Sequence, residues 1–483
     1  MSRMRLLALW LALLAGGCSD ETTEVPPIEG TGGAAGAPGC PVGSVEEGDA
    51  CIAAGVKSCA PGFESNGRGG CRAVLPADPC GPGYVALPGE TRCRHVGDDC
   101  GEAPWGLIPV NETTQYVDAN YPGTDSDGSA AKPWKTIQLA VNAATDLVAI
   151  TDGIYPESLL FGGKSLRLWG RCPERVTIAS DRMWEAVILD ASGNEVHNLA
   201  LSGPTAVGAY YSGDTLLEDV WIHDTALEGV LAIGDSLNGP TQLTVRDSLI
   251  ENVAGIALAL VQVDGSVERT VVRDIGGSGE IGAGRGIHLE RDLSIAEEPS
   301  LVVTSSIVER ALEIGIVAEG VGLTVEASLV RDIAPAPSGR HGAGIAVQNT
   351  SLAGAIRDSV IERTIAFGVI LARAEATVTS STVETVAVQD LDGEFGDGMV
   401  AAGDMTLLTI EDSRIASAAR AGVSCFSAAV SVRGTALECN TFHLDGEGAF
   451  TFDNAGQNAC WCLDEAVDCK VLSAGISPPA VLR

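Results

Sequence analysis

The chain has 483 residues, a formal net charge of −34 and only 4% aromatic residues. A surface this acidic repels nucleic-acid phosphates and anionic lipid headgroups, which argues against both as electrostatic partners. Lysine is scarce and none lies between residues 165 and 469, so a lysine base has no source in that stretch.

At the N-terminus, "MSRMRLLALWLALLAGGCSD" sets Arg3 and Arg5 before an apolar run, Leu6 to Leu14, that is too short to span a bilayer. Small residues Ala15, Gly16 and Gly17 lead to Cys18. The pattern resembles a bacterial lipoprotein signal over 1–18, which implies lipidation of Cys18 and a place in the cell envelope (outer membrane, periplasmic or surface-exposed). Lipid is then the expected membrane attachment. Residues 19–39, rich in Gly, Pro, Ala and Thr, read as a flexible tether.

Fourteen cysteines behind a secretion signal imply disulfides and an oxidising compartment. With Cys18 set aside, an odd number is left. Residues 40–105 form a cysteine-rich region built on a repeat that opens Cys-x-x-Gly and closes on a second cysteine. Compare "CAPGFESNGRGGCRAV" from Cys59 with "CGPGYVALPGETRCRHV" from Cys80, and the looser copy from Cys40. Units this small need disulfides in place of a core. The simplest expectation is pairing within units (Cys40–Cys51, Cys59–Cys71, Cys80–Cys93), with Cys100 left to reach Cys172. Zinc is the weaker reading, because no Cys-x-x-Cys occurs there and the nearby histidine is His95 alone.

The main body is expected over 111–440, with a C-terminal cap over 441–483. Its start combines a strand at Tyr116–Asp118, an Asp/Gly/Ser loop at Asp125–Ser129, "PWKTI" at Pro133–Ile137 and an amphipathic stretch at Thr136–Ala144. This is similar to the first coil of bacterial right-handed parallel β-helix proteins of the pectin-lyase-like superfamily. The resemblance implies an all-β solenoid with an N-terminal capping helix over its open edge, and glycan or cell-envelope ligands. An unpaired edge at the first coil needs such a cover.

Internal repeats support the solenoid independently. A hexad, apolar-x-x-(Ser/Thr)-x-(Val/Ile/Leu), recurs at 245–250, 267–272, 303–308, 325–330, 356–361, 378–383, 410–415 and 432–437. A Gly-(Ile/Val)-x-apolar motif follows at 255, 286, 315, 344, 368, 398 and 422. From Ile222 onward the hexad ends fall 28, 22, 36, 22, 31, 22, 32 and 22 residues apart. Every second coil is bare, and three of the long ones carry their excess at 276–285, 334–341 and 388–397. Loops on alternate coils stack about 9.6 Å apart, twice the strand spacing, so they should form one ridge.

Two charge columns follow the hexad. Glu251, Arg273, Glu309, Arg331 and Glu362 form one, and Asp274, Arg310, Asp332 and Arg363 the other. Alternating sign reads as a register-setting ladder of exposed pairs, each contributing about 0.2–1 kcal/mol. The Ser/Thr column (Ser248, Thr270, Ser306, Ser328, Ser359, Ser381, Ser413, Thr435) should point inward at a corner, with its hydroxyls bonding each other or the backbone. The column Ala257, His288, Val317, Ala346, Ile370, Val400 and Ser424 should face outward as an exposed apolar strip. Such a strip suggests a groove, a partner surface or a seat for the cysteine-rich region.

No catalytic constellation emerges. The Asn-Thr-Asp, Asp-Asp, Gly-His-Gly and Arg-x-Lys pattern of polygalacturonases is absent. Candidates for ligand contact are Arg285, His288, Arg340 and His341, together with Asp390, Asp392, Glu394 and Asp397 of the third insertion. That acidic loop could also supply a carboxylate pair for a hydrolase, although such loops are usually solvated. Asp118, Asp125 and Asp127 are candidate calcium ligands in an Asx-rich turn; no other cofactor is expected. The expected function is a lipid-anchored binding or structural module for glycans or envelope partners. The alternative is a polysaccharide lyase or glycoside hydrolase acting in the loop ridge.

Overall fold

A computed structural model describes residues 40–180, 187–189, 193–210, 214–234, 241–276, 284–339, 341–389, 393–454 and 456–479. The expected signal peptide and tether lie outside these residues. Among the described residues the body is a right-handed parallel β-helix of three sheets. The first sheet runs from Gln115–Val117 to Thr451–Asn454 in 14 strands. The second runs from Gly153–Tyr155 to Ala459–Cys462, with Glu465–Val467 added antiparallel, and also has 14 strands. The third runs from Val187–Leu189 to Val471–Leu472 in 12 strands. Each coil gives one strand to each sheet.

The hexad is the corner between the first and second sheets. In "VRDSLI", Arg246 closes one strand and Leu249 opens the next. Val245 and Ile250 point into the core. The third hexad residue takes the left-handed conformation in coil after coil: Asp247 (φ 49), Arg269 (φ 47), Ser305 (φ 48), Ala327 (φ 47) and Asp358 (φ 51). One such residue bends the chain from the first sheet into the second within a two-residue turn. The hydroxyl column locks that turn. Ser306 Oγ accepts from Thr270 N (3.1 Å) of the coil before and donates to Thr304 O (2.7 Å) two residues back. Ser328, Ser359, Ser381 and Ser413 repeat the arrangement, so each buried backbone N–H at the corner finds an acceptor.

The Gly-Ile motif begins the third sheet, and its glycines are required by close approach rather than by positive φ. A Cβ on Gly368 would lie 2.4 Å from Val383 Cγ1 and 2.5 Å from Gly398 O. The residue after the glycine also points inward, so two successive positions face the core and only the next one faces out. In the earliest of these coils the expected register slips. Leu258 pairs with Ile287 and Ala259 with His288. Ala257 therefore stands where later coils have glycine, fully buried, and Ala259 replaces it in the outward column.

The helix Ile137–Ala143 caps the first coil, burying Ile137, Ala140 and Val141. Glu157 holds its free end by accepting from Ile137 N (2.8 Å) and Gln138 N (2.9 Å).

The cysteine-rich region is a clasp along the solenoid. Three hairpins carry the bonds Cys40–Cys51, Cys59–Cys71 and Cys80–Cys93, and Cys100–Cys172 fastens the end to the body. The region runs back over the outward face of the second sheet. Gly55 N donates to Gly434 O (2.7 Å), Cys71 N to Thr382 Oγ1 (2.8 Å), Gly83 N to Glu251 Oε1 (2.8 Å) and Asp98 N to Asn198 Oδ1 (3.0 Å). Phe63, Val85, Leu87 and Val96 pack on Leu249, Val271, Ile307, Leu329 and Val360, the fifth hexad position. The seat of the cysteine-rich region is thus on the second sheet, not on the apolar strip of the third.

The clasp also changes the standing of the charge ladder. Sign alternates in space as expected along Glu251, Arg273, Glu309, Arg331 and Glu362. The first members are buried rather than exposed: Glu251, Arg273 and Glu309 keep 5, 3 and 5% of their surface. At the other end, Cys439–Cys462 and Cys460–Cys469 close the last coils. The cysteine left over among the described residues is Cys425, buried in the core.

Candidate functional site

The outward face of the third sheet carries two long columns beside the loop ridge. One reads Ala259, His288, Val317, Ala346, Ile370, Val400, Ser424 and Asp445. The other, two residues on, reads Glu290, Glu319, Gln348, Ala372, Ala402, Phe426 and Glu447. The face is polar at both ends and apolar between.

The apolar middle is not the exposed strip expected from sequence. Val317, Ala346, Ile370 and Val400 retain 0–3% of their surface. They belong to a second hydrophobic cluster with Ile314, Phe367 and Phe426, onto which Phe395 of the third insertion and Ile476 of the C-terminal segment pack. The insertions do meet: His341 N, at the end of the second, donates to Gln389 Oε1 (3.0 Å) of the third.

At one polar end the structure gathers three of the sequence candidates around Glu313. Arg285 donates to Glu313 through Nε (2.8 Å) and Nη2 (3.2 Å), and through Nη1 to His288 Nδ1 (3.0 Å). His341 Nε2 lies 4.0 Å from Glu313 Oε1. A guanidinium has only donors, so His288 Nδ1 is the acceptor and the neutral ring carries its hydrogen on Nε2. Burial, with Arg285 adding to it, pulls the His288 pKa down to about 3, which keeps the ring neutral. Its Nε2 is buried without a partner and is directed toward Glu290 (3.7 Å).

Glu290 and Glu319 are register neighbours. Burial, and then the charge of Glu319, raise the Glu290 carboxyl above the ordinary range. His288, Glu290 and Glu319 offer donor atoms within 4.8 Å of one another, and form the one such triad among the described residues. For an ion to bind His288 Nε2, the proton would have to move to Nδ1, directly against the Arg285 guanidinium. That cost weighs against a metal ion at this cluster.

At the other polar end, Asp397 is fully buried. Arg420 Nε (2.9 Å) and Ser424 Oγ (2.9 Å) donate to its Oδ1, and Arg420 Nη2 to Oδ2. Burial pushes the Asp397 carboxyl up, against the pull of Arg420. It is a structural ion pair, not part of a solvated acidic loop. Asp445 is buried in the same region, and burial pushes its carboxyl up to about 6.

Glu394 is exposed on the third insertion, while Arg340, Asp390 and Asp392 lie outside the described residues. Each of the three candidate calcium aspartates has a local partner. Asp118 Oδ1 accepts from Asn120 N (2.8 Å), Asp125 pairs with Lys132 (2.8 Å), and Asp127 Oδ1 accepts from Ser129 N (3.0 Å). Sequence reasoning missed Glu290, Glu313, Glu319, Asp445 and Glu447. The signal for Glu290 and Glu319 was present: "GIHLE" and "GIVAE" put a glutamate two residues beyond the outward position, on the same face.

Corner ladder, capping helix and three parallel sheets decide the architecture. The fold is a right-handed parallel β-helix. No protein-family model and no curated protein matches the sequence. Three solved structures are similar to this β-helix. The catalytic unit of a GH87 α-1,3-glucanase from Streptomyces thermodiastaticus strain HF3-3 is 15% identical, with TM-score 0.49 over 75% of this chain and 71% of that one. Pectate lyase Pel9A is 13% identical, with TM-score 0.39 over 67% and 78%. The A-module of the Azotobacter vinelandii mannuronan C-5 epimerase AlgE4 is 13% identical, with TM-score 0.41 over 72% and 100%. At these identities the likeness concerns the fold alone.

Proposed function

We propose that this β-helix is a glycan-binding module of the cell envelope, lipid-anchored through Cys18, with the outward face of the third sheet as its ligand seat. The observation that carries the reading is the polar cluster at the base of the loop ridge. There a guanidinium, an imidazole N–H and partly exposed carboxylates converge, the donor and acceptor set that recognises sugar hydroxyls. Carboxylates outnumber arginines on this face: Glu290, Glu313, Glu319, Asp445 and Glu447 stand against Arg285, Arg373 and Arg420. A neutral or amino-bearing glycan fits that field, and a uronate is repelled by it.

The test is a glycan array probed with the full chain, spanning neutral, amino and uronic oligosaccharides. Neutral or amino sugars should bind, and Arg285→Ala should weaken them about tenfold or more, as expected for a lost charge-assisted hydrogen bond. Binding confined to uronates, or unaffected by Arg285→Ala, refutes the assignment. Failure of Cys18 to take up labelled palmitate refutes the anchor.

One observation favours a second reading, hydrolysis. The Glu290 and Glu319 oxygens lie within 4.8 Å, close to the separation of about 5–5.5 Å used by retaining glycosidases. Burial and its neighbour hold Glu290 toward the protonated form that a general acid needs. Release of reducing ends from a bound oligosaccharide, abolished by Glu319→Gln, would establish it.

A further inference from the structure

The far end of the proposed seat is already occupied, by the chain itself. Strand Val471–Leu472 pairs with Leu444 and Asp445 as the last strand of the third sheet. The chain then lies over the outward face of that sheet. Ala474 N donates to Asp445 Oδ1 (3.0 Å). Glu447 accepts from Ser473 Oγ (3.0 Å), Gly475 N (2.5 Å) and Ile476 N (3.3 Å). Arg420 Nη1 donates to Ser477 O (3.1 Å). Ile476 joins the apolar cluster beside Ala402 and Phe426. Pro478 and Pro479 wall a groove of about 420 Å³ whose floor includes Ala346, Ile370, Ala402 and Phe426.

The manner of attachment distinguishes this segment from the rest of the sheet. Every strand of the third sheet is held by a backbone ladder. Segment 473–479 makes no backbone-to-backbone hydrogen bond to the sheet among the described residues. Its ties run through side chains, and its prolines lack the N–H a ladder would need. Such a segment can lift off without unpairing a strand, which places it at the low-stability end of the fold. Its donors also engage carboxylates that an incoming hydroxyl-rich ligand would use.

We propose that segment 473–479 is a removable strap that fills the ligand seat, so that ligand binds only while the strap is open. The inference rests on the reading of this face as the seat, and its test is built to separate the two. Ala402→Cys places a thiol on the groove floor, and iodoacetamide reports its accessibility without any ligand. Two variants outside the seat open the strap. Ile476→Asp removes its apolar anchor. Gly475→Pro removes the donor to Glu447 at a residue with φ +69, which proline cannot adopt.

In the full chain, alkylation of Ala402→Cys should be slow, and the amides of Gly475 and Ile476 should be protected from hydrogen exchange. Either opening variant should speed alkylation about tenfold or more, the factor set by the open fraction, while the core thiol Cys425 stays unreactive and so reports an intact solenoid. Equal alkylation rates with and without the opening substitutions, or unprotected strap amides in the full chain, overturn the strap. Should alkylation accelerate but the opened chain bind no glycan on the array, the seat assignment falls and the strap stands. Should a glycan bind the third sheet equally well in both forms, the seat stands and the strap's role falls.

Discussion

Arg273→Met tests whether the charge ladder is a buried clamp or a set of surface pairs. Arg273 donates to Glu251 Oε2 from Nε (2.9 Å) and Nη2 (2.5 Å), and from Nη2 to Gly81 O (2.8 Å) of the clasp. Both side chains are almost fully buried, at 4 and 6% exposure. Removing one partner of a buried pair leaves an uncompensated charge and costs about 3–5 kcal/mol. Glu251 keeps two donors, Gly83 N (2.8 Å) and Trp221 Nε1 (2.9 Å), so the lower end, about 3 kcal/mol, is expected. An exposed pair would lose only about 0.2–1 kcal/mol. Urea unfolding of Arg273→Met, Glu251→Gln and the double variant gives the loss and its coupling, and hydrogen exchange over residues 80–96 shows whether the clasp loosens. A loss below about 1 kcal/mol with unchanged exchange in the clasp would refute the argument that burial turns this pair into a fastener.

Three further outcomes are expected. Gly368→Ala should cost about 1–3 kcal/mol in urea unfolding, because the new methyl meets Val383 and the Gly398 carbonyl in a packed core; an unchanged midpoint would mean the glycine column is incidental. Replacing Cys100 and Cys172 by serine opens a loop with a sequence separation of 72, for which loop-closure entropy gives about 4 kcal/mol. Limited proteolysis should then cut near residues 94–110 before the coils. Asp219 is pushed up to about 7 from an ordinary 3.8, chiefly by burial, with Asp98 and Asp247 adding to it. A raised carboxyl lends its stability fully below the unfolded value and loses it as pH rises through the folded one. Asp219→Asn, which suits φ 56, should therefore stabilise the chain at about pH 8 and change little at about pH 4; equal midpoints at the higher pH would contradict the shift.

The legible part of this fold was the part written periodically. Corner hydroxyls, alternating charges and glycines recur once per coil, and parallel stacking turns a sequence period into a spatial column. Ala257 shows the limit of that method, since an alanine in the glycine's place moved the apparent register by two residues. Docking between distant segments has no period. Cys71 N reaches Thr382 Oγ1 across 311 residues, and no local pattern near either residue announces the other. One signal was available in Leu249, Val271, Ile307, Leu329 and Val360, a nearly unbroken apolar column at a position that must face outward. The third sheet offers a similar strip, and no periodic signal distinguishes which of the two the cysteine-rich region covers.

That comparison of faces bears on where function resides. A three-sided solenoid offers three outward surfaces. The second is clasped by the cysteine-rich region from the last coils to Cys172, and its charges are spent on internal pairs and on clasp backbone. The first presents short polar positions such as Thr244, Ser266, Thr324, Thr377, Thr409 and Ser431. On the third, insertions meet above the sheet, two in-register glutamates stand without a cationic partner among the described residues, and a buried imidazole N–H lacks an acceptor. Along Glu251, Arg273, Glu309, Arg331 and Glu362 the second sheet alternates sign from coil to coil, whereas Glu290 and Glu319 set like charges in register. Such a pairing costs stability, and a site that binds or transforms a ligand is where folds tolerate that cost.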